Sequence, residues 1–296
     1  MNPRTIVTIS PSWKVENRTE YARGVATLER LGLRVINPRF PARLPSPEGK
    51  AQELHAAFAN ERADIILARR GGYSSMKMLP HVDFAFIKKH PKLFAGFSDL
   101  STLLNAIYER TGQVTLHAPM VINFEQPTAF TVRSFLNAVD GFPETDLFDG
   151  APVTVCRPGT ARGTIKGGNL VTLTALIGTP WEPDFDGSIV FFEDVDEKPH
   201  EVDRYLTHWA LTGKLKRIKG LILGDFRGVP NRAVFAALTA CMDVTVPVVH
   251  CPYIGHVKNK ITIPVGAAVA LDTRARSLTL LERPAIPRSP RAEVSR

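Results

Sequence analysis

Residues 91–104 read PKLFAGFSDLSTLL. An apolar run from Leu93 to Phe97 stops at Ser98, and a helical pattern begins at once. A strand that turns directly into a helix is the repeating joint of a parallel sheet with covered faces. The same joint recurs on both sides. TIVTIS (5–10) is a strand; NRTEYARGVATLERLG (17–32) is a helix with Tyr21, Val25, Leu28 and Leu31 on one face and Gly32 as its stop. LRVIN (33–37), DIILAR (64–69) and VTLHAP (114–119) are further strands, and EGKAQELHAAFANE (48–61), VDFAFIKKH (82–90) and PTAFTVRSFLNAVDG (127–141) further helices. Strand–helix alternation at this spacing predicts an α/β fold with a parallel sheet.

From DGFPETDLFDGAP to RGTIKGGN (140–169) the chain is rich in Gly, Pro, Asp and Thr, so a domain boundary is expected near residues 140–160. This divides the chain into an N-terminal domain (1–145), a C-terminal domain (160–283) and a tail (284–296). Beyond the boundary, GSIVFFED (187–194), GLILGDF (220–226) and VPVVHCP (246–252) read as strands. A helix starts near Glu201, with Val202, Tyr205, Leu206 and Trp209 on one face, and NRAVFAALTACMD (231–243) is another. AAVALDTRARSLTLLE (267–282) reads as a hairpin over DTRARS.

The 296 residues are 44% hydrophobic and 22% charged, enough for two modest cores. Net charge is +8, of which +3 lies in the stretch from Arg283 to Arg296, with its three prolines, which reads as disordered. The remaining +5 fits a mixed surface, and no basic run interleaved with aromatics points to nucleic acid. Cys156, Cys241 and Cys251 lack CxxC spacing and signal neither a disulfide framework nor a zinc site. The short apolar stretch in MNPRTIVTISPSW does not read as a signal peptide, and no run reaches the ~18 apolar residues of a membrane span. A cytoplasmic protein with no membrane or nucleic-acid partner is expected.

Four places could carry chemistry. Ser98 fits a helix cap followed by Asp99 in the first turn, and the same geometry fits a nucleophile raised at a sharp strand-to-helix turn. In the second reading the N–H of Asp99 points where an oxyanion forms, and Gly96 permits close packing, although Leu100 replaces the second glycine of GxSxG. Gly71 and Gly72 follow the strand DIILA and form either a plain turn or a second oxyanion donor; they match no phosphate-loop pattern. Glu193 ends an apolar strand, at an edge where sites gather. The acidic segment after it holds Asp194, Asp196, Glu197, His200, Glu201 and Asp203, but without HExxH it reads as a solvated face rather than a metal site. His256, after Gly255 in a loop, is better placed to be a general base than His250 inside an apolar strand; His117 ranks second.

Taken together, RGGY, GFSD, GGNL…GTPW…ED with the following VDR, and GH shortly before IPVG resemble the LD-carboxypeptidases in order and spacing. These are the murein tetrapeptide carboxypeptidases and their microcin C self-immunity relatives. The resemblance runs from SPSW (10–13) to Gly266. It implies a Rossmann-like N-terminal domain and a smaller, β-rich α/β C-terminal domain with the site between them, and a homodimer. It also implies a cofactor- and metal-free Ser–His–Glu triad of Ser98, His256 and Glu193, with an oxyanion hole at the backbone of Asp99, Gly71 and Gly72. GTPWEP, with Trp181, resembles the murein branch. HVKNKITIPVG departs from the many members in which the histidine precedes a small residue. The expected substrate is a small murein peptide losing a C-terminal D-alanine, its carboxylate held by Arg69, Arg70 or Lys258. The alternatives are a peptidase or amidase acting on peptidyl nucleotides, or a binding module without catalysis.

Overall fold

The computed structural model describes residues 4–36, 44–241 and 244–285. The expected tail, apart from its first two residues, lies outside them. The chain forms two compact units, one ending at Pro127 and the other running from Thr128 to Pro284.

The first unit alternates strands and helices as expected: β1 (Thr5–Ile9), α1 (Arg18–Arg30), β2 (Arg34–Ile36), α2 (Pro47–Ala59), β3 (Ile65–Ala68), α3 (Ser75–Met78), α4 (Phe84–Lys89), β4 (Leu93–Gly96), α5 (Ser101–Thr111) and β5 (Thr115–His117). The helix starts are written locally. Asn17 caps α1 by accepting from the N–H groups of Thr19 and Glu20, Ser46 caps α2 and Asp83 caps α4. The five strands are parallel in the order β2-β1-β3-β4-β5. Every residue of β3 and β4 is buried, as parallel strands covered on both faces must be. The order reverses between β1 and β3, and in doubly wound sheets ligands bind beyond the carboxyl ends of the strands at that switch point. Ser10–Trp13, Gly71–Gly72 and Ser98 follow the carboxyl ends of β1, β3 and β4.

The second unit holds α6 (Ala129–Val139), β6 (Thr154–Arg157), β7 (Thr160–Asn169), α7 (Leu170–Thr174), β8 (Ser188–Val195), α8 (Pro199–Leu211), β9 (Gly220–Arg227), α9 (Asn231–Cys241), β10 (Val248–His250), β11 (Ile263–Val265), β12 (Ala268–Asp272) and β13 (Ser277–Leu280). Its sheet runs β13-β12-β7-β8-β9-β10-β6. β7 to β10 are parallel, while the β12–β13 hairpin and β6 join antiparallel. Trp209 is fully buried, stacks on Phe185 with centroids 5.2 Å apart, and donates its indole N–H to Thr174 Oγ1 at 2.8 Å.

Two expectations are corrected. The boundary near 140–160, and with it the 1–145 and 160–283 division, falls one helix too late. α6 belongs to the second unit because Thr131 Oγ1 donates to the Lys258 carbonyl and Ser134 Oγ accepts from the Thr262 N–H. The punctuated zone also contains strands β6 and β7. Glycine serves as strand there because β8 lies too close for a side chain: a Cβ on Gly167 would stand 1.9 Å from the Phe191 carbonyl oxygen. Among the described residues, no helix is long and apolar enough to cross a membrane.

Candidate active site

The first cluster forms at the carboxyl ends of β3 and β4. Phe97 continues β4 in extended backbone, and Ser98 then turns to φ +64°, a left-handed conformation that non-glycine residues adopt only under constraint. A 3₁₀ turn over Ser98–Leu100 leads into α5. Ser98 is therefore not a helix cap: the cap positions are Phe97 for the 3₁₀ turn and Leu100 for α5, and neither makes a side-chain cap bond. Gly71 packs against the serine. A Cβ there would lie 3.2 Å from Ser98 Cβ and 3.4 Å from its Oγ, so a side chain would press on the serine. Gly72 adopts φ +133°, and Trp13 leaves no room for a side chain on it.

Asp99 ties these segments together. Its buried carboxylate accepts from Ser12 Oγ at 2.5 Å and from the Ser75 N–H at 2.9 Å, while its carbonyl accepts from Ser75 Oγ at 2.5 Å. Lys50, also buried, donates to the Ser12 carbonyl and to Ser74 Oγ. Burial pulls the Lys50 ammonium below its usual range, against the attraction of Asp99.

The second cluster stands at the end of β8. Glu193 is fully buried, and His256 Nδ1 donates to its Oε2 at 2.8 Å. That bond assigns the ring proton to Nδ1 and leaves Nε2 of the neutral imidazole as the acceptor. Two glycines let the histidine loop lie on the strand end. A Cβ on Gly224 of β9 would meet the Ile254 carbonyl oxygen at 2.7 Å, and one on Gly255 would meet Glu193 Oε2 at 2.9 Å. The neighbouring Asp194 does something else. It accepts from Asn169 Nδ2 at 3.1 Å and from the N–H groups of Val171 and Val195, each at 2.8 Å, and so fastens the start of α7 to β8. Burial raises it to about 7, with the adjacent Glu193 charge adding to the rise.

The remaining candidates separate by exposure. Arg69 is corrected as a substrate clamp. It is fully buried, with its guanidinium on Thr8 Oγ1 at 3.3 Å, the Thr8 carbonyl at 3.1 Å, Ser10 Oγ at 3.2 Å and Glu53 at 3.5 Å. Arg70 keeps 30% of its side chain exposed and lies 3.7 Å from Glu16. Lys258 is exposed and Trp181 half-buried. His250 is held by Asn231, and His117 is buried edge-on to Phe97. Among the described residues, no group of three or more His, Cys, Asp or Glu side chains is placed to hold a metal ion. The sequence reading missed Asp225 and Lys260, whose charges act on the Glu193 cluster, and the Asp99 carboxylate as a tie.

The LD-carboxypeptidase N-terminal domain matches residues 6–118, and the LD-carboxypeptidase C-terminal domain matches 162–271. The probable murein peptide carboxypeptidase of Bacillus subtilis is 32% identical over 268 residues, which cover 86% of this chain and 84% of that one. The chain belongs to the LD-carboxypeptidase family. Among LD-carboxypeptidase structures, that of the muramoyltetrapeptide carboxypeptidase from Oxalobacter formigenes superposes with a TM-score of 0.82 at 30% identity, covering 95% of this chain and all of that one. The microcin C7 self-immunity protein MccF of Escherichia coli is 26% identical, covering 91% of this chain and 90% of that one. The two-unit mixed α/β fold is that of the family.

Proposed function

We propose that this LD-carboxypeptidase is a cytoplasmic, homodimeric serine hydrolase that releases a C-terminal D-alanine from murein L,D-peptides. Ser98 is the nucleophile, His256 the general base and Glu193 the group that orients it. Ser98 Oγ attacks the scissile carbonyl carbon as its proton passes to His256 Nε2, and the N–H groups of Asp99 and the Gly71–Gly72 pair receive the oxyanion. His256 returns that proton to the departing D-alanine nitrogen, leaving an acyl-enzyme on Ser98. Water then gives a proton to His256 and attacks the ester carbon, and the proton returns to Ser98 Oγ as the shortened peptide leaves.

The observation that carries this reading is the 2.8 Å bond from His256 Nδ1 to the fully buried Glu193 carboxylate, which fixes the base's tautomer. The left-handed Ser98, raised at the turn against Gly71, supports it from the other unit. Arg70, Lys258 and Trp181 are the candidates for holding the substrate, Arg70 for its carboxylate first of all, since it is partly exposed beside the proposed oxyanion glycines. The test is to incubate the protein with an L,D-tetrapeptide, with the tripeptide lacking D-alanine, and with a peptidyl nucleotide. D-alanine should appear from the tetrapeptide alone. Cleavage of the peptidyl nucleotide without D-alanine release would move the reading to the microcin branch. No turnover and no labelling by a serine-directed phosphonate would leave a binding module.

A further inference from the structure

The Glu193–His256 pair has a buried cation beside it that the triad reading does not use. Lys260 is 2% exposed. Its ammonium donates to the carbonyl of Gly255, the residue immediately before His256. Its backbone N–H donates to Thr131 Oγ1 of α6 at 2.9 Å, so the segment is fastened at both ends of the side chain. The charged groups acting on the ammonium are Glu193 from β8 and Asp225 from β9, and His256 stands in the same field through its attraction to Asp225. Asp225 also anchors the loop, since its N–H donates to the Ile254 carbonyl at 2.7 Å.

A neutral donor would suffice to hold one carbonyl. A buried ammonium is costly, and it is retained where a buried anion needs it. Glu193 is fully buried with Asp225, a second carboxylate, close enough for its charge to be felt. Without a cation, such a carboxylate takes up a proton instead of staying charged. A protonated Glu193 could neither anchor the Nδ1–H nor stabilise an imidazolium.

We propose that Lys260 is a positioning residue for the base. Its ammonium holds the Gly255–His256 segment in place and supplies the counter-charge that keeps Glu193 ionised. This rests on the triad reading. Burial draws the Lys260 ammonium down to about 8, against the opposing pull of Glu193 and Asp225, so its charge is lost within the range an enzyme can be assayed.

The test follows the rate at which a fluorophosphonate labels Ser98 between pH 5 and 10, a readout that needs no knowledge of the natural substrate. In Lys260→Met the rising acid limb should move up by about one pH unit, because Glu193 keeps its proton longer without the cation. The wild-type rate should decline above about pH 8 as Lys260 loses its proton. Lys260→Arg, whose guanidinium stays charged, should hold its rate to pH 10. An unmoved acid limb in Lys260→Met overturns the proposal. Should that variant fail to fold, a wild-type rate flat to pH 10 overturns it instead. Ser98→Ala and His256→Ala run alongside: labelling of either at the wild-type rate sinks the triad reading itself, whatever Lys260 does.

Discussion

Around Ser98 the restraints are mostly steric. A left-handed φ, a glycine against the side chain and a carboxylate tying Ser12 to Ser75 hold the turn. Around His256 the restraints are charges: Glu193 accepting from the ring, Lys260 on the preceding carbonyl and Asp225 beside both. In the first kind of seat the left-handed turn and the glycine contact are set by sterics and do not titrate. The second holds only while its ionisation states persist, so the pH sensitivity of the base should reside in the second unit.

Several substitutions can break or sharpen that contrast. Ser98→Ala has the largest expected effect, a loss of roughly 10⁴–10⁶ in kcat with the fold retained. Because alanine keeps the left-handed strain, Ser98→Gly should be equally inactive yet unfold no earlier than Ser98→Ala in a thermal melt. Gly71→Ala should lower kcat roughly 10–100-fold, since the added methyl displaces the serine by tenths of an ångström. The loss should be the same at every pH, and a loss confined to one limb of the profile would place Gly71 among the charge-dependent parts.

Asp194→Asn should leave kcat within a few-fold but cost about 1–3 kcal/mol of stability, because one N–H donor loses its acceptor. Since burial raises Asp194 above its unfolded value, its contribution to stability is fullest below about pH 4 and is lost as pH rises through about 7. The variant should therefore flatten the slope of stability against pH between those values, which thermal melts across that range would show. The smallest effect expected is that of exhaustive chelation, which should leave turnover unchanged. Activity lost to EDTA and restored by zinc would replace the triad with a metallopeptidase mechanism.

How far the sequence carried the reading differs between the same two regions. The first unit alternates apolar runs with capped helices at short range, so β1 to β5 are legible to within a residue or two at each end. β7 is not, because Gly163, Gly167 and Gly168 read as loop, and the approach of the Gly187–Phe191 backbone explains the first two. Ser98 could be placed at its turn but not shown to lack the cap role, since φ +64° is invisible in the letters FSDL. Sequence alone could not separate Arg69 from Arg70 or Lys258 as the clamp; its burial depends on Thr8, Ser10 and Glu53, distant in sequence. Lys260 was hidden for the same reason, as Glu193 and Asp225 reach it from strands β8 and β9.

The most direct test of the account is kcat for Glu193→Gln beside Asp194→Asn on an L,D-tetrapeptide at neutral pH. The two carboxylates are consecutive on β8, yet one orients the histidine and the other fastens α7. Glutamine keeps the shape of Glu193 and removes its charge, so kcat should fall roughly 10²–10⁴-fold while Asp194→Asn stays within a few-fold of wild type. An Asp194→Asn variant that remains folded but loses more kcat than Glu193→Gln would contradict it.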